Sequence, residues 1–325
     1  MKFFFPDSQD LVDPSFDFVN ETRSPNRVRQ RDDQYAHEVF SAPPYDGMLV
    51  SKAVVDGVGG GSGRYTLGQR RRFYFEGVRK FLRLRNSPVE IMGDNGAFTY
   101  VNEEVPPVTV DEVISFYDDC GFDYGFSVDH MILGYNEDAD HTLPSIDIVP
   151  PDWRRRQEIT FELGREFIKQ CKQRKTQFQP IGVAQGWSPK SYAHSVKTMQ
   201  KIGFSYIALG GMVALKTDEI LACLEAIDAV RKPENRLHLL GVSRIQNLRD
   251  FDRLGVYSFD STSPLQQAFK EDLNNYYGKE YRYSAIRIPQ VDANRSLRNL
   301  IQSGEVRQEE ARRLELACLT SVINF

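Results

Sequence analysis

Short apolar runs alternate with segments of helical periodicity along most of this chain. Eight runs are predicted to be strands, at residues 38–41, 48–54, 89–92, 124–128, 180–184, 206–209, 237–241 and 256–259. Six segments are predicted to be helices, at residues 68–85, 110–119, 153–175, 189–202, 217–231 and 245–254. This alternation is typical of a closed (β/α)8 barrel, and a doubly wound open sheet shares it. Both architectures stay open at this point.

Polar residues mark the ends of the predicted strands. Asp94, Asp129 and Asp260 each come at or just after the end of an apolar run. Gln185 follows a fourth run, and glycines follow two others. In a (β/α)8 barrel the carboxyl ends of all strands meet at one mouth, where active sites are built. The pattern therefore favours a (β/α)8 TIM barrel with three carboxylates and an amide at its mouth.

Three parts are predicted along the chain. Residues 1–35 are polar and interrupted by prolines, so we expect an N-terminal arm. Residues 36–274 form the catalytic barrel, and residues 275–325 form a C-terminal helical appendage with an amphipathic helix near 305–321. The glycine run at 59–63 lacks the spacing and the Lys-Ser/Thr pair of a phosphate loop, so it is predicted to be a flexible loop.

Composition excludes several classes of protein. The chain has 325 residues, of which 41% are hydrophobic and 26% charged, so it can bury a sizeable core and is not globally disordered. No window approaches the ~18 continuous apolar residues of a membrane span, and we expect a cytoplasmic protein. The four cysteines lie far apart with no CxxC among them, which suits neither a disulfide framework nor a local zinc site.

Charge is distributed unevenly. The net charge is −4, yet residues 64–85 contain eight basic residues and one acidic residue. Arginines also cluster at residues 23–31. Such segments are typical of a nucleic-acid footprint, and Arg70, Arg71 and Arg72 are the candidate contacts. A solvated helix face is the alternative interpretation.

Five segments resemble, in order, those of the tRNA-guanine transglycosylases. Asp-Asn-Gly-Ala-Phe at 94–98 resembles the Asp-Ser-Gly-Gly-Phe/Tyr segment of that family, and Val-Ala-Gln-Gly at 183–186 resembles its Val-Gln-Gly turn. The segments at 202–212, 239–242 and 255–261 are similar to its glycine-pair, Leu-Met-Gly-Val and Phe-Asp segments. The resemblance spans about residues 89–264, and it implies a base-exchange enzyme built on a TIM barrel.

Two departures separate this chain from the enzymes that act on tRNA. Those enzymes carry a CxCxxC…His zinc site, whereas after Asp260 this chain has only Cys318 and no histidine. Residues 261–268 also lack the basic Pro-Thr-Arg-Asn run. The chain looks more like the DNA-guanine transglycosylases of 7-deazapurine DNA modification systems. That resemblance implies no zinc subdomain, no metal and no cofactor. It implies DNA and free 7-cyano-7-deazaguanine as substrates, and an ATPase-like partner protein.

The resemblance also assigns roles. Exchange with retention at C1′ needs a carboxylate nucleophile and a second acid/base group. Asp260 is the implied nucleophile, and Asp94 the implied acid/base. Asp129 and Gln185 are implied to hold the guanine-like base. The other implied substrate contacts are Gly210, Gly211, Met212, Phe98, Leu240 and Gly241, with Phe98 and Leu240 on the two faces of the base and Met212 beside its 7-substituent.

Several alternatives stay open. The chain could be a tRNA-guanine transglycosylase of queuosine or archaeosine type that lacks zinc, with tRNA as the substrate. It could also be a non-catalytic nucleic-acid-binding barrel, although retention of three aspartates argues against this. An unrelated barrel enzyme, such as an aldolase, is a third alternative. His130, beside Asp129, is an alternative acid/base, but the family places no catalytic histidine there.

Overall fold

The fold was analysed in a computed structural model of the chain. It describes residues 1–17, 20, 22–58, 63–141, 148–270, 275–278, 280–283, 291 and 294–324. Residues 59–62 of the predicted glycine loop lie outside the described residues. Parts of the predicted C-terminal appendage lie outside them as well.

Eight parallel strands close into a barrel in the order of the sequence. They are β1 (Lys2–Pro6), β2 (Gly47–Ser51), β3 (Glu90–Asp94), β4 (Tyr124–Phe126), β5 (Gln179–Ala184), β6 (Tyr206–Leu209), β7 (Arg236–Leu239) and β8 (Val256–Asp260). β1 pairs with both β2 and β8, which closes the barrel. The predicted (β/α)8 TIM barrel is confirmed, and seven of the eight predicted strands overlap the strands observed.

The first predicted strand, at residues 38–41, is wrong. The structure has a short helix there, α1 (Ala36–Val39), in which the Glu38 carboxylate accepts a hydrogen bond from the Tyr35 N–H at 2.9 Å and closes a helical turn. The first strand is β1 instead, with Phe4 fully buried inside the barrel. The barrel therefore contains residues from the segment predicted to be an N-terminal arm. The boundaries at residues 35 and 274 stay predictions.

Helices follow the strands as the alternation predicts. They are α2 (Lys52–Asp56), α3 (Leu67–Glu76), α4 (Val78–Phe81), α5 (Val110–Cys120), α6 (Pro151–Arg174), α7 (Pro189–Ile202), α8 (Thr217–Asp228), α9 (Leu248–Arg253) and α10 (Ser263–Lys270). The helix predicted at 68–85 is interrupted at Gly77, whose φ of 76° ends α3 and begins α4. Among the described residues, no helix has the length and apolar character that crossing a bilayer requires.

Two apolar layers surround the strands. The barrel interior is filled by side chains from alternate strand positions, namely Phe4, Leu49, Met92, Phe126, Ile181, Val183, Tyr206 and Ala208. A larger cluster lies between the strands and the helices and includes Tyr117, Phe167 and Ile220. Because the interior is packed, the barrel is closed below its mouth, and a substrate reaches the strand ends from that side only.

The chain divides into two compact units. The first consists of Met1–Val12 and Gln34–Thr262 and contains the barrel. The second consists of Asp13–Asp33 and Ser263–Phe325, with a two-stranded antiparallel sheet and helices α11 (Arg295–Gln302) and α12 (Gln308–Asn324). Within the second unit, Arg27 forms ion pairs with Asp13 and Asp33 at 2.9 and 2.7 Å. Arg31 also pairs with Asp32 at 2.7 Å, so ion pairs already compensate two arginines of the basic cluster at 23–31.

Candidate active site

The three aspartates singled out in the sequence lie at the mouth of the barrel. Asp94 and Asp260 are the last residues of β3 and β8, and Asp129 comes three residues after β4 ends. Gln185 directly follows β5. All eight strands are parallel, so these positions share one end of the barrel. The structure thus brings together the groups that the strand-end pattern predicts.

Asp129 and Gln185 are bonded to each other. The Gln185 Nε2 donates to Asp129 Oδ2 at 2.7 Å, and Gln185 Oε1 accepts from the Ile132 N–H at 3.2 Å. Asn95 supports the other carboxyl oxygen, since its Nδ2 lies 3.4 Å from Asp129 Oδ1 and donates to the Ser127 carbonyl at 3.0 Å. Asp129 is therefore held at both oxygens. Asn95 is a residue that the sequence analysis did not single out.

Burial changes the protonation of both Asp129 and Asp94. It raises the pKa of Asp129 to about 7, against the hydrogen bonds from Gln185 and Asn95, which lower it, and together with the negative charge of Asp94. Burial likewise raises the pKa of Asp94 to about 6. Hydrogen bonds from the Gly96 N–H and the Ser51 side chain oppose that rise, and the Asp260 charge adds to it. A carboxyl group of this kind exchanges protons near neutral pH.

The hydrogen bonds that the described residues make to Asp260 fall on one of its two oxygens. Its Oδ1 accepts a hydrogen bond from the Gly241 N–H at 2.9 Å and lies 3.0 Å from His238 Nε2. Gly241 has a φ of 72°, a backbone conformation that favours glycine at this position. The Gly241 backbone thus contacts Asp260, and its contact with the substrate stays a prediction. The sequence analysis missed His238, which is a buried polar residue between Leu237 and Leu239 in β7.

The glycine pair after β6 is required by close packing. A Cβ at Gly210 would lie 2.2 Å from Gln185 Nε2, and one at Gly211 would lie 2.5 Å from the Ile132 carbonyl. Gly211 also has a φ of 78°, which disfavours any side chain. Met212 follows and is fully buried. These glycines therefore let the loop approach the Gln185 amide closely.

Comparison with known proteins agrees with this geometry. Residues 65–288 match the family described as queuine tRNA-ribosyltransferase. The chain is also similar to a DNA-guanine transglycosylase of Salmonella montevideo, with 51% identity over 326 residues that cover 100% of this chain and 77% of that protein. The chain belongs to the queuine tRNA-ribosyltransferase family. It is a glycosyl-transferring enzyme of the transglycosylase type.

The two predicted base-stacking residues of this transglycosylase differ in exposure. Phe98 lies in a short 3-10 turn, Ala97–Tyr100, and is 71% exposed. Leu240 is half-buried and packs against the interior apolar cluster. An exposed aromatic ring at an active-site mouth is available for stacking on a planar ligand. Phe98 is therefore accessible to solvent, whereas Leu240 is partly covered by the apolar interior of the barrel.

His130 connects the loop that contains Glu103 with helix α6 of the transglycosylase. Its Nε2 lies 2.9 Å from the Glu103 carbonyl, and its Nδ1 lies 3.0 Å from Arg156 Nη1. Burial, together with the Arg156 charge, lowers the pKa of His130. Because both ring nitrogens have partners within the protein, this arrangement argues against His130 as the acid/base group.

The three candidate arginines on α3 have different environments. Arg70 donates to the Asp56 carbonyl at 2.7 Å, and Arg72 lies 3.6 Å from the Glu76 carboxylate. Arg71 is exposed. Two of the three side chains are therefore partly engaged inside the protein, and the contact of all three with nucleic acid stays a prediction.

Ion pairs also reduce the charge of the wider basic segment. Arg79 pairs with Asp123 at 2.6 Å, and Arg83 pairs with Glu38 at 3.0 Å. Both carboxylates come from outside residues 64–85, so counting charges along that segment alone overstates its positive field.

The cysteines of the enzyme do not converge. Cys120, Cys171 and Cys223 are buried on three different helices, and burial raises their thiol pKa values to about 12, 11 and 12. Metal binding requires the thiolate, which such burial disfavours. Within the ranges that the structure describes, no three His, Cys, Asp or Glu side chains group as metal ligands would. The expected absence of zinc stays a prediction.

Proposed function

We propose that this enzyme exchanges guanine in DNA for a 7-deazaguanine, 7-cyano-7-deazaguanine, through a covalent intermediate on Asp260. The observation that carries the proposal is the pairing at one barrel mouth of a carboxylate held through a single oxygen, Asp260, with a carboxyl group of raised pKa, Asp94. The 51% identity to a protein named as a DNA-guanine transglycosylase supports both the base and the polymer.

Asp260 and Asp94 divide the first step between them. The Asp260 carboxylate attacks C1′ of the target nucleoside, the C1′–N9 bond breaks, and its electron pair leaves with guanine. Asp94 gives its proton to that guanine. With a pKa of about 6, Asp94 holds a proton in about a tenth of the molecules at pH 7 and returns readily to the carboxylate.

The second step reverses these roles. The Asp94 carboxylate removes a proton from the incoming base, whose nitrogen then attacks C1′. The ester bond between C1′ and Asp260 breaks, and its electron pair returns to the carboxylate. Two displacements at the same carbon give retention of configuration. No other oxidant, reductant or co-reactant is required.

Base selection rests on Asp129 and Gln185. The Asp129 carboxylate accepts from the N1–H and exocyclic amine of guanine, while a Gln185 N–H and the Gly211 N–H approach the O6 atom. The contact between Gln185 and Asp129 supports this assignment because it orients both groups before a base arrives. Adenine would leave these buried groups without partners, which discriminates strongly between purines. Met212, Phe98 and Leu240 would enclose the base.

Contact with the polymer involves the exposed surface of α3. Arg71 is exposed there, beside Leu67 and Phe75, which are 57% and 88% exposed. Lysine and arginine contacts to phosphate supply most non-specific affinity for DNA. Arg70 and Arg72 flank Arg71 and are proposed to contribute less because they already have internal partners.

A stacked duplex restricts access to the site. A paired base cannot reach Asp260, so the target must turn out of the helix at a cost of a few kcal/mol. This cost favours action on opened DNA, beside an ATPase-like partner of the kind that the resemblance implies. We propose that this modification takes place in the cytoplasm, with free 7-deazaguanine base as the second substrate.

Exchange into tRNA is the second candidate function. The match of residues 65–288 to a family described by its tRNA activity favours it. The missing zinc-ligand pattern after Asp260 and the identity to the Salmonella montevideo protein favour DNA.

Isotope exchange tests the choice directly. Labelled guanine and labelled 7-cyano-7-deazaguanine are offered with duplex DNA, with DNA containing an unpaired guanine, and with tRNA. We expect label in DNA, fastest where the guanine is unpaired, and none with Asp260→Asn. Label in tRNA alone would support the second candidate, and label in neither polymer would contradict both.

A further inference from the structure

A line of buried hydrogen bonds runs through the barrel and ends on Asp260. The Tyr206 hydroxyl contacts Ser258 Oγ, and Ser258 Oγ lies 2.6 Å from His238 Nδ1. His238 Nε2 lies 3.0 Å from Asp260 Oδ1. Tyr206, His238 and Ser258 are all fully buried.

A register shift between β7 and β8 makes this alignment. Leu237 pairs with Val256, but the next residue, His238, pairs with Ser258, so Tyr257 is the extra residue of a bulge. Regular pairing would place His238 opposite Tyr257 and would turn Ser258 away from it. Bulges re-aim side chains and occur next to active sites. The bulge here brings the imidazole, the Ser258 hydroxyl and the Asp260 carboxylate together.

The surroundings of the imidazole are apolar. The rings of Phe4 and Phe126 lie 6.2 and 5.3 Å from the His238 ring, centroid to centroid. Tyr206 itself packs edge-on against Tyr124 and Tyr257. Polar groups in such an interior are costly unless each one has a hydrogen-bond partner.

The available hydrogen-bond partners determine where the protons lie between Tyr206 and Asp260. An ionised Asp260 can only accept, so His238 Nε2 carries a proton. The Tyr206 hydroxyl stays protonated, since burial raises its pKa, and its one hydrogen-bond partner among the described residues is Ser258. Tyr206 therefore donates to Ser258, and Ser258 donates to His238 Nδ1. This leaves His238 neutral, with its only proton on Nε2.

We propose that His238 is a positioning residue for the nucleophile, whose Nε2–H tautomer is set by Ser258 and Tyr206. With the Gly241 N–H it occupies Oδ1 of Asp260, so that Oδ2 is the oxygen that bonds to C1′. This proposal rests on the proposed function only in taking Asp260 as the nucleophile.

Donors on Oδ1 affect the two chemical steps differently. In the first step the Oδ2–C1′ bond forms, the C1′–N9 bond breaks, and negative charge leaves the carboxylate. In the second step the Oδ2–C1′ bond breaks and the charge returns to the carboxylate. His238 stays neutral in both and transfers no proton. Its N–H stabilises the charge that develops in the second step, so its loss must slow release of the sugar from Asp260.

The test measures formation and release of the covalent enzyme–DNA adduct in single turnovers. Removing one donor from a developing anion costs on the order of 10²-fold in rate, so His238→Leu is expected to slow release by that factor and to accumulate adduct. His238→Gln keeps an N–H at the same reach and is expected to recover most of the rate. The affinity for free guanine should not change in either variant.

The distal hydroxyl gives a second, milder test. Tyr206→Phe should slow release several-fold, whereas Tyr117→Phe, which removes an equally buried hydroxyl bonded to the Phe126 carbonyl, should not. If His238→Leu does not fold, the comparison of Tyr206→Phe with Tyr117→Phe tests the proposal in its place. Nitrogen NMR of labelled histidine, assigned with His238→Gln, should show a neutral Nε2–H ring.

Several results would overturn the proposal. They are wild-type release in folded His238→Leu, no advantage of His238→Gln over His238→Leu, equal effects of the two tyrosine variants, and a doubly protonated His238. If the wild-type enzyme forms no adduct on Asp260, the proposed function fails and this proposal fails with it. An Asp260 adduct with unaltered variant kinetics refutes the positioning role alone.

Discussion

Replacing Asp129 with asparagine should stabilise the folded protein at pH 8 while it removes guanine binding. Asp129 is 3% exposed, and its pKa rises from 3.8 to about 7 on folding. The folded state therefore holds this proton more tightly than the unfolded chain does. Stability is highest where both states are protonated, falls as the pH rises from about 4 to 7, and is level above that.

The size of the effect follows from the pKa difference. Each unit is worth about 1.36 kcal/mol, so ionising Asp129 costs about 4 kcal/mol of stability at pH 8 and about 1.6 kcal/mol at pH 5. Asparagine avoids this cost. The substitution itself costs about 1–2 kcal/mol of stability. The carboxylate accepts hydrogen bonds from Gln185 and Asn95, and an amide in its place puts an N–H group against one of these donors. The net gain at pH 8 is about 2–3 kcal/mol.

Thermal unfolding of both proteins at pH 5 and pH 8 checks this reasoning. We expect Asp129→Asn to melt several degrees higher than the wild type at pH 8 and no higher at pH 5, because 1 kcal/mol shifts Tm by about 2–4 °C in a large domain. Asp119→Asn, an exposed position, is the matched control and should show no such pH dependence. A Tm difference that is the same at both pH values, or absent at pH 8, would refute the argument.

Three further predictions concern the nucleophile, the metal and the polymer. Asp260→Asn should abolish base exchange, because an amide cannot form the glycosyl ester; incorporation of labelled base measures this, and near wild-type incorporation would contradict the assignment. The purified enzyme should hold no stoichiometric zinc by elemental analysis, and chelators should leave its Tm unchanged; one tightly bound zinc per chain would overturn this. Arg71→Glu should weaken duplex binding and reduce the slope of log affinity against log salt by about 0.9, measured by fluorescence anisotropy, with guanine affinity unchanged. A salt dependence equal to that of the wild type would show that Arg71 on α3 does not contact DNA phosphate.

The periodic part of the sequence determined most of the barrel. Strands buried on both faces are mostly apolar, and the helices between them begin at recognisable caps, as at Thr109, whose hydroxyl accepts from the Glu112 N–H. The positions of the three aspartates at strand ends could also be predicted, because a polar residue directly after a buried apolar run marks the end of a strand. The order of the matching segments then indicated the family.

Tertiary structure alone decided the features that depend on distant partners. The β1 strand lies in a short run of three phenylalanines closed by a proline, too brief to show a period, and it forms because β2 and β8 supply hydrogen bonds on both sides. The charge of the basic segment depends on carboxylates such as Asp123, which approach it only in the folded chain.

The environment of Asp260 is the clearest case. Sequence separation gives no sign that His238 and Ser258 meet, since one bulged residue in β8 sets their register. The raised pKa of Asp129 has the same origin, because it follows from burial among groups that lie far apart in the chain. Local pattern specifies which residues end a strand, whereas hydrogen-bond partners and desolvation arise only when separate strands pack together.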